Sequence, residues 1–442
     1  MPNVMGSLPL LLCFVTFMEP MASGGSLEEK WLENCGSYPY VYENACHQFA
    51  RWDIEARRLW DSIPKEKPNR TVYDCMNLEC LCPYMDGIIL TGGECMLQTK
   101  DGYRTLKKAV RKEYRMLTDQ ERKRYHKAMN KIKKNGVYDK LAKLHANYST
   151  SPAAHGGSGF LPWSREYLKR LEIALRLVDP EVALPYWDPT LDYELSDPTY
   201  SILWSRKLMG EQSYDGYVDK SPFKNWTTLD GRRTFKRNVG DKGYLMKETD
   251  ITTITDWTNE YEHIFAHTAA SLNCPNPGYW SAIEYVGSKS QLFVGGDMQD
   301  FLTATNDPLF WSLYAMVDFI WEQWRELYQP ILSDREKQYP ANDTTCSGPA
   351  HFRNSPMIPF NNFKVIDGLS TKYTQEFYKY EERPKCDGSN SCGSKYLFCE
   401  RGTRHCASKV KIGGPCTNYS PGECYEGECK NNICVKKSAS DD

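Results

Sequence analysis

The sequence predicts a mainly α-helical protein that carries a small cysteine-rich region at each end. Helical spacing of apolar residues recurs through the middle of the chain, as in Leu168, Leu171 and Leu175, with Ser164 one turn earlier on the same face. The cysteines collect near the two ends, where short segments bury little core and must be held together by bridges. At 442 residues the chain can form one large core with these appendages.

The N-terminal segment 1–24 is typical of a signal peptide. Its apolar run, Leu8 to Met18, is too short to span a bilayer and is followed by the small residues of Ala22-Ser23-Gly24. The net charge is −2, with acids and bases interspersed, so nothing indicates a nucleic-acid partner or a membrane surface. We therefore expect a secreted, extracellular glycoprotein without a membrane span. Its N-glycosylation sequons would be Asn69, Asn147, Asn225, Asn342 and Asn418.

The cysteine count supports secretion. Of 17 cysteines, Cys13 falls in the signal peptide and 16 remain, an even number without the companion histidines of zinc sites. This indicates a disulfide framework, whose pairing the sequence leaves open. The distribution predicts a cysteine-rich N-terminal region at 25–100, a central domain at 101–385, a cysteine-rich module at 386–434 and a tail at 435–442.

Helix signals begin in the N-terminal region and strengthen in the central domain. Short helical pieces, such as Asn44 to Trp60, are expected first. Thr118 and Glu121 then form a capping box that starts a basic helix ending near Asn135. The next helix, Val137 to about Asn147, turns its apolar face inward with His145 beside that face.

Residues 180–280 are rich in Asp, Pro, Gly and Trp, and they predict long ordered loops with a helix at about Ile251 to Ala270. The last long helix starts at Asp307-Pro308, because Asp is a preferred N-cap and Pro is favoured at the first helical position. Its apolar stripe extends from Phe310 to Trp324.

The densest motif is His155-Gly-Gly-Ser-Gly-Phe-Leu-Pro-Trp-Ser164, in which a glycine-rich loop leads into a helix. With four further motifs it resembles the tyrosinase and haemocyanin family of type-3 copper proteins, notably secreted invertebrate tyrosinase-like members. The resemblance spans roughly residues 103–386 and implies a four-helix bundle wrapped by long loops, with a pocket for two copper ions. The further motifs are Val110 to Thr118, Leu184-Pro-Tyr-Trp-Asp188, Val294-Gly-Gly-Asp-Met298, and Asp307-Pro-Leu-Phe310 with Val317-Asp318.

A type-3 centre needs six neutral imidazoles, three on each copper, so that the two metals can bridge one dioxygen. For the first copper, the resemblance assigns ligand places to His145, His155 and Ser164. Serine is a poor copper ligand beside imidazole. Two of the three places in this half therefore keep histidine.

The second copper has no histidine left. The family's two histidines four residues apart, just before Val-Gly-Gly, would fall at Gly287 and Gln291. Its last ligand, in a His-His pair, would fall at Tyr314 in Leu313-Tyr314. Glycine offers no donor, and glutamine and protonated tyrosine bind copper poorly. Four of six ligand places are thus replaced.

These replacements predict a tyrosinase homologue without a complete dicopper centre, a pseudoenzyme that acts by structure or binding. Its partner would be an extracellular protein or matrix component, reached through the C-terminal module. Two alternatives stay open: a copper-dependent phenol oxidase with altered ligands, and a protein that holds one weakly bound metal ion at His145 and His155.

A second histidine pair, His263 and His267, has the one-turn spacing of helical metal ligands. A zincin motif would require Glu directly after the first histidine, and this chain has Ile264 there. Surface or core histidines are the favoured interpretation. The pair is the first place to look for a replacement metal site.

Overall fold

The computed structural model describes residues 27–100, 102–265, 282–386, 391–417 and 419–437. Over these ranges the protein is mainly α-helical, with four small sheets, which confirms the predicted fold class. The helices are α1 (Leu27–Cys35), α2 (Tyr40–Leu59), α3 (Leu78–Leu81), α4 (Asp119–Lys134), α5 (Val137–His145), α6 (Phe160–Val178), α7 (Thr190–Tyr193), α8 (Glu248–Thr252), α9 (Tyr261–Phe265), α10 (Ile283–Val294), α11 (Leu309–Tyr328) and α12 (Leu332–Arg335). The strands are β1 (Ile88–Ile89), β2 (Cys95–Thr99), β3 (Gly102–Thr105), β4 (Ala109–Arg111), β5 (Tyr378–Tyr380), β6 (Leu397–Cys399), β7 (Cys406–Ser408), β8 (Gly427–Lys430) and β9 (Ile433–Lys436).

The core is a bundle built from α5, α6, α10 and α11. Helix α6 contacts α5 and α11, and α10 contacts α11 on another face. Every side chain of α10 is buried, because helices or loops cover it on all sides. The N-terminal helix α2 packs against α10, and α4 packs against α5 and α6. The long loops between residues 180 and 260 surround this bundle.

Two predicted helix starts are confirmed by their hydrogen bonds. At the start of α4, Thr118 Oγ1 accepts from the Glu121 amide at 3.2 Å, and Glu121 Oε2 accepts from the Thr118 amide at 2.8 Å. At the start of α11, Asp307 Oδ1 accepts from the Leu309 amide at 2.9 Å. The same carboxylate binds the buried side chain of Arg237.

The prediction of one helix from about Ile251 to Ala270 is wrong for the residues that the structure describes. The chain instead forms α8, a single π-helical turn at Thr253–Trp257 and, after a break, α9. Threonine hydroxyls bond to backbone carbonyls here, for example Thr253 to Thr249 at 2.7 Å and Thr258 to Thr253 at 2.8 Å. Such local bonds compete with the α-helical pattern, which explains the break. The remainder of the predicted helix lies outside the described residues, as does the predicted signal peptide.

A buried ion network ties the bundle to the parallel strand pair β4–β5. Asp318 of α11 accepts from Arg165 Nε at 2.6 Å, and from the hydroxyls of Tyr378 and Tyr380 at 2.7 Å each. Arg111 of β4 reaches the same carboxylate at 3.4 Å. Burial alone would raise the pKa of Asp318, but the two guanidinium groups and the two hydroxyls outweigh it and hold that pKa below its usual value.

Both ends of the described chain are rich in disulfides, as predicted. The C-terminal module has two halves with the same connectivity, in which the first cysteine pairs with the third and the second with the fourth. Each half ends in a hairpin, β6–β7 or β8–β9, whose two cysteines face each other. The bridges between pairs of described cysteines are Cys35–Cys46, Cys75–Cys80, Cys82–Cys95, Cys386–Cys399, Cys392–Cys406, Cys416–Cys429 and Cys424–Cys434. Cys346 is disulfide-bonded as well.

The C-terminal module packs against the central domain. Backbone hydrogen bonds join Ile202 to Lys409 at 2.7 Å and Lys411 to Tyr200 at 2.8 Å. The module is therefore docked by main-chain contacts, and its strand β9 continues two residues past the predicted end at Cys434. Among the described helices, none has the length and apolar character needed to cross a lipid bilayer.

We predict that Asp318→Ala lowers the free energy of unfolding by about 3–5 kcal/mol, because it leaves Arg165 and Arg111 buried without their shared carboxylate. Chemical denaturation measures this change. The control is Glu382→Ala, which removes the partner of Lys385 from an exposed ion pair. Equal stability of Asp318→Ala and the unmodified chain would contradict a structural role for the network.

Candidate metal centre

Two histidines meet at the centre of the bundle. His145 is the last residue of α5, and His155 lies in the glycine-rich loop that leads into α6. Their Nε2 atoms are 3.0 Å apart, at hydrogen-bonding distance. The two side chains are 0% and 1% exposed, so the bundle encloses them fully. The structure thus brings together the two residues that the sequence singled out.

Glu284 of α10 binds the other side of His155, a contact that the sequence did not reveal. Its Oε1 lies 2.9 Å from His155 Nδ1 and also accepts from the Gly156 amide at 3.2 Å. Burial raises the pKa of Glu284 well above its usual value. Burial also lowers the pKa of His155, and the neighbouring His145 lowers it further. The pair is therefore held in its neutral form, with one proton shared between carboxyl and imidazole.

His145 is also held neutral, by an aromatic environment. Its ring stacks against Tyr167 with centroids 6.0 Å apart and meets Phe310 edge-on at 4.9 Å. Burial lowers its pKa to about 3, with a small opposing effect from the backbone of Phe301. Neutral imidazole is the form that binds metals, and it is also the form that an apolar core tolerates best.

Aromatic side chains seal the histidine pair from solvent. Phe301 stacks on His155 with centroids 3.9 Å apart, and Trp52 meets the same ring edge-on at 4.7 Å. Trp52 and Phe49 come from α2, so the N-terminal region covers the centre of the bundle. Helix α2 is longer than the short pieces that the sequence predicted for this region, and the sequence did not show that it lies over the histidines.

Comparison with known proteins identifies the family. A family model described as the common central domain of tyrosinase matches residues 135–327. Tyrosinase-like protein 2 of Margaritifera margaritifera is 30% identical over 326 residues, which cover 69% of this chain and 68% of that protein. This chain belongs to the tyrosinase family. That identification confirms the resemblance read from the motifs, and copper is accordingly the plausible metal.

Other relatives extend beyond this chain. A tyrosinase-like protein of Caenorhabditis elegans, tyr-3, is 40% identical over 413 residues, which cover 89% of this chain and 58% of that protein. This chain thus spans less than two thirds of that relative's length. Among solved structures, a polyphenol oxidase mutant from Thermothelomyces thermophila aligns with a TM-score of 0.48 at 16% identity, covering 80% of this chain and 98% of that one.

The places that the tyrosinase resemblance assigns to the other ligands are buried and mostly packed. Ser164 is 3% exposed, and its hydroxyl has no hydrogen-bond partner among the described residues. Tyr314 stacks on Phe310 with centroids 4.0 Å apart, and its hydroxyl lies 3.5 Å from His155 Nε2. Burial raises the pKa of Tyr314 well above its usual value, so the phenol stays protonated. Of these donors, only the two imidazoles are good copper ligands.

Gly287 marks a close approach between α10 and α11. A Cβ atom at this position would lie 2.9 Å from Cγ2 of Val317. Valine is β-branched and has one strongly preferred rotamer in a helix, so its methyl group cannot easily move aside. The described packing therefore leaves no room for a larger side chain at Gly287 unless the two helices separate.

Two further histidines, His351 and His263, contact protein groups outside the histidine pair. His351 is buried, and its Nδ1 accepts from the Gly159 amide at 3.1 Å. A Cβ atom at Gly157 would lie 2.7 Å from the His351 ring, which explains why the loop after His155 carries glycine there. Since the two residues are almost 200 apart in sequence, no local signal could have linked them. His263 lies 3.6 Å from Glu260.

The second candidate metal site, His263 with His267, stays a prediction. His263 lies on α9, where its side chain is 17% exposed. His267 lies outside the described residues, so the distance between the two imidazoles is left open.

We predict that Gly287→Ala destabilises the protein by about 1–3 kcal/mol through overpacking against Val317. Thermal or chemical unfolding measures the effect. The same substitution in a Val317→Ala background should cost much less, because the clashing methyl group is absent. Equal penalties in both backgrounds would contradict the clash.

Acidification should destabilise the metal-free protein because buried imidazoles resist protonation. His126 and His145 have pKa values of about 3 when folded, against an ordinary value of 6.5. Between these values only the unfolded chain binds the protons, so stability is complete above pH 6.5 and falls as the pH falls. Each histidine contributes a slope of about 1.4 kcal/mol per pH unit.

His126→Phe tests this expectation, because it removes one titrating group and the 2.8 Å contact of His126 with the Tyr114 hydroxyl, away from the candidate metal site. Its unfolding free energy, measured between pH 6.5 and 5, should depend less steeply on pH than that of the unmodified protein. An unchanged slope would show that His126 titrates normally when folded.

Proposed function

We propose that this chain is a secreted member of the tyrosinase family that has lost its dicopper centre and acts as a non-catalytic structural or binding protein. The observation that carries the proposal is the hydrogen bonding and burial of His145 and His155. They are the only imidazoles at the six assigned ligand places, they hydrogen-bond to each other, and they are sealed by Trp52 and Phe301.

The second copper half supports the same proposal. Gly287 supplies no donor, and Val317 occupies the space that an imidazole there would need. Tyr314 is packed against Phe310 as a core residue. Activation of dioxygen at a type-3 centre needs two metals that bridge it, and a donor set with no imidazole for the second metal does not fit this requirement.

Access to the pocket argues against phenol oxidation as well. On the side of the histidines that α2 covers, Phe49 and Trp52 are buried at 0% and 1% exposure, so a diphenol has no open path from that side. Trp52 is also anchored by a hydrogen bond from its indole nitrogen to the Ser151 carbonyl at 3.1 Å. Opening a path would expose this aromatic cluster to water, at a large hydrophobic penalty.

The C-terminal module is the proposed surface for an extracellular protein or matrix partner. Its disulfides make it rigid, and its main-chain contacts with Tyr200 and Ile202 fix its orientation on the central domain. Apolar side chains of the second half point outward, including Ile412, Tyr419 and Ile433, which are 41–61% exposed. A preorganised module of this kind loses little conformational entropy on binding.

A single-ion site is the second candidate, favoured by the convergence of two Nε2 atoms. Zinc lies about 2.0–2.1 Å from imidazole nitrogen, so nitrogens 3.0 Å apart could share one ion that replaces their hydrogen bond. The Ser164 hydroxyl, which is buried without a partner in the described structure, belongs to the same assigned half. This candidate needs no donor from the second half.

The deciding experiment measures copper per chain by mass spectrometry after copper loading and dialysis of the secreted protein. We expect less than one copper per chain, no dioxygen-to-copper charge-transfer band and no copper-dependent oxidation of a diphenol. Two coppers per chain with that band would overturn the proposal and establish a phenol oxidase.

Variants distinguish the remaining outcomes. One ion per chain that is lost in His145→Phe with His155→Phe would establish the single-ion site. His263→Phe is the matched control, since it removes an imidazole outside the bundle centre. Loss of the ion in the control alone would instead point to the site at His263 and His267.

A further inference from the structure

A second cleft, separate from the histidine pair, lies where the N-terminal cysteine-rich region meets the central domain. Its volume is about 860 Å³, and its walls come from the segment β3–β4, helix α4, the end of α6 and strand β5. Cationic side chains outnumber acidic ones among its lining residues by seven to three. The cationic residues are Arg104, Lys107, Lys108, Lys112, Arg124, Arg176 and Lys379, and the acidic residues are Glu121, Glu181 and Glu381.

All three carboxylates of the cleft are already paired. Glu181 binds Arg104 and Arg124, while Glu121 and Glu381 lie 3.0 and 3.7 Å from Lys112 Nζ. The other four cations of the cleft form no ion pair within 4.0 Å in the described part of the chain. These four are Lys107, Lys108, Lys379 and Arg176. The cleft therefore carries a positive charge that the protein does not compensate.

Of these four residues, Arg176 gives the strongest indication of an anion site, because its side chain is buried. It lies in the last turn of α6 and is 3% exposed. Its guanidinium donates to the carbonyls of Lys107 at 2.5 Å and Pro180 at 3.1 Å, but Nη1 has no hydrogen-bond partner among the described residues. The nearest carboxylate on its own helix, Glu172, is bound by Arg111.

A buried guanidinium without an ion-pair partner within 4.0 Å is unfavourable, since arginines are almost never fully buried unless they are paired. The charge of Glu172 offsets the effect of burial on Arg176 only in part. Burial accordingly lowers the pKa of Arg176, although guanidinium remains charged at neutral pH. Its planar fork matches the two oxygens of a carboxylate or sulfate group. An anion that enters the cleft would supply the missing charge and a partner for the donor.

We propose that this cleft binds an acidic oligosaccharide, with Arg176 holding one sulfate or carboxylate group at the base and Lys107, Lys108 and Lys379 holding further groups at the mouth. The volume is in the range of ligand sites for molecules of several rings. Tyr380, which is half-buried, also lines the cleft and offers an aromatic surface against which a sugar can pack. The site is independent of any metal at the histidine pair.

The test is calorimetric titration of the full secreted chain with two probes, a sulfated tetrasaccharide and an unsulfated uronic-acid tetrasaccharide. We expect binding that weakens with added salt, and the tighter probe identifies the anionic group. Lys107→Glu with Lys379→Glu should weaken binding at least tenfold, because it replaces two cationic contacts of the anion with like-charged carboxylates. Arg176→Gln should have a similar effect.

The matched control is Lys123→Glu with Lys127→Glu, which makes the same charge change on the exposed face of α4. It should leave both affinities within twofold. Equal weakening in control and cleft variants, or no binding of either probe, would overturn the proposal. Equally tight binding of a poly-glutamate peptide would overturn the assignment to a saccharide.

If Arg176→Gln lowers the melting temperature, the binding test rests on Lys107→Glu with Lys379→Glu. These two lysines are exposed and their side chains form no ion pair in the described structure, so replacing them should leave the fold intact. Copper content is measured on the same samples. Since neither lysine contacts the histidine pair, failure of oligosaccharide binding and failure of the non-catalytic proposal would be recognised separately.

Discussion

The buried contact between Arg165 and Asp318 is the constraint on which the centre of this protein depends. Arg165 directly follows Ser164 on α6, and Asp318 lies one turn after Tyr314 on α11. The ion network therefore sets the register of the two helices beside the places that the tyrosinase resemblance assigns to copper ligands. It does so through residues that are not among those places.

The centre of the bundle is packed as a core. Hydrogen bonds to His145 and to Glu284 engage both nitrogens of His155, whereas His145 is bonded through Nε2 and its Nδ1 has no partner among the described residues. Phe301 and Trp52 then complete an aromatic shell around them. Burial away from water lowers the pKa values of both imidazoles and raises the pKa of Glu284, because it disfavours the charged form of each group.

Helix α6 connects the bundle centre that holds the histidine pair to the cationic cleft. Its first half carries Ser164 and packs in the bundle, whereas its last turn carries Arg176 beneath the N-terminal region. At each end of α6 one buried side-chain donor has no hydrogen-bond partner among the described residues, namely the Ser164 hydroxyl and Arg176 Nη1. The energetic cost of burying these two groups differs. A buried hydroxyl without a partner is a modest penalty, but a buried guanidinium is a charge that a ligand can neutralise. The last turn of α6 thus places a buried cation in the wall of the cleft, apart from the histidine pair.

Features that depend on neighbouring residues could be predicted from the sequence alone. The Thr118–Glu121 capping box, the helix start at Asp307 and the disulfide-rich ends follow from short-range hydrogen bonds and composition, and the family motifs located His145 and His155. The cover by α2, the pairing of Glu284 with His155, the cysteine connectivity and the burial of Arg176 were decided only by the tertiary structure. Each joins residues far apart in the chain, and their proximity depends on how helices pack, which no local pattern encodes.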